Sequence, residues 1–88
     1  MNMDRINSGG NPHVLRAAAF RVIDRTQDIP EVQVQAMALA LYATCEALNV
    51  DIKQLLVSME RMKNDLDGPF VGTFAALREY AINEIGRR

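Results

Sequence analysis

VQAMALALYATCEALNVDIKQLLVSMERMKNDL, running from Val34 to Leu66, decides the fold. Apolar residues recur in it at the three- and four-residue spacing of an α-helix. The first series is Val34, Met37, Ala38, Leu41, Cys45 and Leu48, and the second is Ile52, Leu55, Leu56, Met59, Met62 and Leu66. Between them stands Asn49–Val50–Asp51. Asparagine tolerates the left-handed conformation that ends a helix, and aspartate accepts hydrogen bonds from the first free N–H groups of the next. The stretch therefore predicts two helices, about Pro30–Leu48 and Asp51–Asp65, meeting at a tight corner. Leu39, Tyr42 and Ala43 widen the apolar surface of the first beyond half its circumference, so that helix needs cover on more than one side.

The flanking segments are organised around this hairpin. Asn11–Pro12 announces a helix, because Asn accepts at the N-cap and Pro at the first helical position loses no needed donor. That helix is expected over about Pro12–Thr26, with Val14, Leu15, Ala18, Ala19, Val22 and Ile23 as its apolar stripe. Pro30 biases Ile29 away from helix and separates it from the hairpin. Asp67–Gly68–Pro69 is the next break, and a last helix is expected over about Pro69–Gly86, burying Phe70, Phe74, Leu77, Ala81 and Ile85. Gly72 in its first turn weakens that start and favours a later one. Residues 1–11 are polar, contain Gly9–Gly10, and are read as a flexible N-terminal arm, with 12–88 as a single helical domain. The expected fold is all-α: a compact, mostly antiparallel bundle of four helices.

Composition agrees with helix packing. Of 88 residues 49% are apolar, Trp is absent, and Ala, Leu, Val and Met dominate, which suits helix on helix better than a sandwich of sheets. The net charge of −1 gives no general attraction to nucleic acid or to an anionic membrane. The N-terminus has no apolar run of a signal peptide, and the apolar run Ala36–Ala43 is too short to span a bilayer. A cytoplasmic protein without membrane association is expected. Cys45 is the single cysteine, a small side chain at an apolar helical position, with no second thiol for an intrachain disulfide.

No pattern of catalytic chemistry is present. His13 sits at a helix start without a neighbouring nucleophile, and reads as a surface residue. Glu46, Glu60, Asp65 and Asp67 lack the spacing of a calcium loop, so neither a metal nor another cofactor is expected. Leu41–Glu60 has the spacing of a helix-turn-helix: small Cys45 before the corner, Leu48 and Val50 flanking it, Leu55 beyond. Its second helix offers Asp51, Lys53, Gln54, Ser58 and Glu60, a single cation where base edges and phosphates would demand several. Ile52 stands where a polar base-reader belongs, and nucleic acid is disfavoured as partner.

The candidate partner-binding residues are Arg16, Arg21 and Arg25, a basic stripe interrupted by Asp24, and the adaptable pair Met59 and Met62. A solvated face explains the arginines equally well, and core filling the methionines. The surplus of helical apolar surface is most easily covered in a homodimer.

HVLRAAAFRVIDRT, TCEALNVDIKQLL and FAALREYAINEIGRR, together spanning residues 13–88 in outline, resemble small accessory proteins encoded by bacteriophages. The resemblance implies binding to a host enzyme or defence complex in the host cytoplasm, and it assigns no residue a role. The resulting expectation is a non-enzymatic protein-interaction module that inhibits or redirects a host protein. The alternatives are a small helix-turn-helix DNA-binding regulator and a subunit of a structural oligomer.

Overall fold

A computed structural model describes residues 11–85. The flexible arm expected over 1–11 therefore lies, except for Asn11, outside the described residues, as does Gly86. Four α-helices follow one another: α1 Pro12–Arg25, α2 Pro30–Ala47, α3 Ile52–Asn64 and α4 Val71–Glu84. No strand occurs among the described residues, and the fold is the all-α bundle that the apolar periodicity predicts.

Most helix ends are built by the residues that announce them. Asn11 Oδ1 accepts from the backbone N–H groups of His13 at 3.0 Å and Val14 at 3.3 Å, and Pro12 opens α1. Pro30 opens α2, whose cap residue Ile29 supplies no side-chain acceptor. At the other end of α2, Asn49 takes φ 57°. Its N–H donates to Glu46 O at 3.3 Å while Val50 N–H donates to Cys45 O at 2.8 Å. These two bonds satisfy carbonyls that the end of a helix would otherwise leave open. Asp51 Oδ1 then accepts from Lys53 N at 2.9 Å and Gln54 N at 3.2 Å, starting α3.

The last helix begins at Val71, two residues after the expected Pro69. Pro69 and Phe70 belong to the turn before it. Gly68 donates its N–H to Asp65 O at 3.0 Å, and a Cβ at that position would stand 2.7 Å from Asp65 Oδ2. A side chain there would have to displace the Asp65 carboxylate.

α4 packs against both α1 and α3. The molecule measures 37 × 32 × 19 Å, so its thin dimension is about two helix diameters. In such a slab every helix keeps one face in solvent. The buried apolar residues are accordingly few among those described, namely Ile23, Cys45 and Phe70, and they share the interior with Gln33, Ser58 and Thr73. Ser58 Oγ has no hydrogen-bond partner among the described residues.

The expected stripes are corrected on this point. On α1 only Ile23 is buried, while Val14, Leu15 and Val22 are exposed. On α2 Cys45 is buried and Met37 half-buried, but Val34, Ala38, Leu41 and Leu48 face water, Leu41 at 38% exposure. On α3 Ile52, Leu55, Met59 and Met62 are half-buried and Leu56 and Leu66 exposed. On α4 Phe74, Leu77, Ala81 and Ile85 are half-buried behind buried Phe70, as the periodicity predicts. Periodicity marks the side of a helix able to be buried. Burial itself requires an opposing surface, and a slab two helices thick supplies only a narrow one.

Candidate protein-interaction surfaces

Opposite sides of α1 carry different chemistry. Arg16, Phe20 and Asp24 recur every four residues and form one stripe. The Arg16 guanidinium lies 5.7 Å from the centre of the Phe20 ring, and Phe20 meets Tyr80 of α4 edge to face, at 5.0 Å between centroids and 66° between planes. Tyr80 Oη donates a hydrogen bond to Asp24 Oδ1. That bond to a carboxylate, with some burial and the negative charges of Asp24 and Glu84, pushes the Tyr80 hydroxyl up to about 12. The stripe fastens α1 to α4.

Arg25 is nine residues from Arg16, which places it 180° away on an ideal helix, and Arg21 is close to Arg25. The three candidate arginines thus do not form one stripe. Arg16 belongs to the aromatic seam. Arg21 and Arg25 stand on the outer face beside exposed Val14 and Val22, and no ion pair or hydrogen bond holds either arginine among the described residues.

α2 joins α1 through Gln33, 1% exposed. Its Nε2 donates to Ile23 O at 3.0 Å and to Thr26 Oγ1 at 3.3 Å, and its Oε1 accepts from Asp28 N at 3.2 Å. The apolar periodicity of the sequence does not single out Gln33. The signal was positional: a polar side chain three residues into α2 lies within reach of the unsatisfied carbonyls at the end of α1. The opposite face of α2 holds Val32, Leu39 and Tyr42 in solvent. There a shallow depression of about 610 Å³ is lined by Gln35, Ala38, Leu39, Tyr42, Ala43 and Glu46.

On α3 the candidate methionines are half-buried, and Met59 borders a depression of about 420 Å³ with Leu56, Val57, Glu60, Lys63 and Phe74. At the α2–α3 corner, Cys45 and Ser58 are buried, Val50 and Leu55 half-buried, and Asn49 left-handed. The outward residues of α3 include apolar Leu56 and Val57 along with Lys53 and Gln54, a poor set for reading base edges.

His13 is exposed, and no group of three or more His, Cys, Asp or Glu side chains able to hold a metal occurs among the described residues. No helix among them is long and apolar enough to cross a membrane. Comparison with family models, curated proteins and solved structures finds no match to this chain.

Proposed function

We propose that the protein is a non-enzymatic protein-interaction module. The observation that carries this reading is the outer face of α1, where Val14, 61% exposed, and Val22 lie in solvent next to Arg21 and Arg25. Exposed aliphatics on the same side of α1 as two arginines offer a partner apolar contact and positive charge, and Arg is enriched at protein interfaces. This face matches a partner surface of opposite charge, with carboxylates beside apolar side chains. The resemblance to bacteriophage accessory proteins makes a host protein the class of partner, to be inhibited or redirected.

The test is capture from host cytoplasm by the purified chain, beside an Arg21→Glu/Arg25→Glu variant whose circular dichroism and melting match the parent. A stoichiometric acidic protein held by the parent and released by the variant is the expected result. Equal capture by both chains overturns the assignment of this face. A DNA-binding regulator is the second reading, favoured by the left-handed Asn49 at a corner whose flanking helices bury Cys45 and Ser58. Recovery of nucleic acid alone, released at moderate salt, selects it.

A further inference from the structure

We propose that the flank of α3 between Lys53 and Arg61 binds the phosphate group of a small phosphate monoester. A depression of about 290 Å³ lies there, lined by Lys53, Gln54, Val57, Ser58 and Arg61. That volume is at the lower end of small-molecule sites, room for a phosphate and a short organic group. Two of the lining side chains are cations, and no carboxylate is among the described lining residues. The acids nearby in sequence are engaged elsewhere. Glu60 borders the other depression of α3, beyond Val57. Asp51 is turned to the helix end, where its Oδ1 accepts from Lys53 N and Gln54 N.

Ser58 carries the assignment. It lines the depression yet is 1% exposed, and its Oγ has no hydrogen-bond partner among the described residues. A hydroxyl on a helix commonly turns back to the carbonyl four residues earlier. Thr26 Oγ1 donates in this way to Val22 O and Thr44 Oγ1 to Ala40 O, each at 2.7 Å. Ser58 makes no such bond to Gln54 O. A buried donor without an acceptor is costly, and such groups in folded chains are few. A ligand oxygen at the floor of the depression supplies the missing acceptor.

The helix arranges the rest of the set around that hydroxyl. Lys53, Val57 and Arg61 follow one another every four residues, and Gln54 with Ser58 forms the adjacent row. Lys53 and Arg61 are about 12 Å apart along the axis, so their long side chains close on the middle from opposite ends. No ion pair or hydrogen bond holds the Lys53 side chain among the described residues. Lys and Arg offer donors only, and Gln54 and Ser58 can donate as well. Two cations match the nearly doubly negative charge of a phosphate monoester at neutral pH, where a carboxylate would leave one of them unmatched. The site is independent of the partner proposed for α1, whose arginines stand on a different helix.

NMR titration of the isotope-labelled full chain with inorganic phosphate, against chloride at equal ionic strength, tests it. The expected result is saturable shifts of the amides from Lys53 to Arg61, repeated with glycerol phosphate. Ser58→Ala removes a hydroxyl that has no partner, so the unliganded variant is expected to melt no lower than the parent, while its phosphate binding weakens about tenfold. Lys53→Gln is expected to weaken binding in the same direction, and Arg21→Glu/Arg25→Glu to leave it unchanged. Shifts that chloride reproduces, or that never saturate, overturn the proposal. So does a Ser58→Ala chain that binds phosphate as well as the parent, or one that melts lower, which would show the hydroxyl already paired. Binding of duplex DNA along this flank without a response to either phosphate probe overturns it too, and selects the nucleic-acid reading. Loss of phosphate binding with capture on Arg21 and Arg25 intact would leave the function proposed above standing, and the converse would leave this inference standing.

Discussion

Gln33 is the residue whose role was least visible beforehand and whose removal has the clearest consequence. Replacing it with Leu keeps the volume but strips the partners from Ile23 O and Asp28 N in a buried junction. Leaving such groups unpaired costs about 1–3 kcal/mol, and we expect Gln33→Leu to lower the melting temperature by roughly 5–15 °C in a thermal melt. Tyr80 makes a prediction in pH. Its hydroxyl is raised from 10.0 to about 12, so the folded chain keeps a proton that the unfolded chain releases. Stability from this group is full below pH 10 and is lost as pH climbs toward 12. Melts across that window should show an alkaline fall that is smaller in Tyr80→Phe.

The elements are set largely by their ends. Asn11, Pro12, Pro30, Asn49 and Asp51 all act as their chemistry dictates, which is why three of the four starts lie within a residue of expectation. α4 differs because its first turn has no side-chain cap and contains Gly72. A Cβ at Gly72 would meet nothing within 4 Å. Gly72→Ala is therefore expected to stabilise the domain by about 0.5–1 kcal/mol, read as a higher melting temperature, because it removes backbone freedom from the unfolded chain without a clash. A lower melting temperature would show that the first turn of α4 is not helical.

The molecule as a whole is a thin slab with apolar side chains on both its inside and its outside. Fifteen large hydrophobic residues are exposed among those described, against three apolar ones that are buried. Single exposed apolar side chains are ordinary, but fifteen of them leave this slab with more apolar surface than its own helices cover. An interface that binds only the folded chain stabilises it by mass action. The homodimer expected from the sequence would make the melting temperature rise with protein concentration. A parent whose melting point does not move over a hundredfold range would speak against that homodimer.

The sequence by itself determined the helices, their caps and the corner between α2 and α3. These rest on local rules: a 3.6-residue repeat, an acceptor before the first turn, a residue able to go left-handed after the last. It also supplied Arg21, Arg25 and the two methionines as candidates, without saying which could reach a partner. Only the tertiary structure decided that Arg16 turns away to stack on Phe20, that Met59 and Met62 sit half inside, and that Gln33 is buried while Leu39 is not. The reason is that burial belongs to pairs of surfaces. A helix apolar on most of its circumference does not state which side its neighbours will cover, and here they cover the side that holds Gln33 and Cys45.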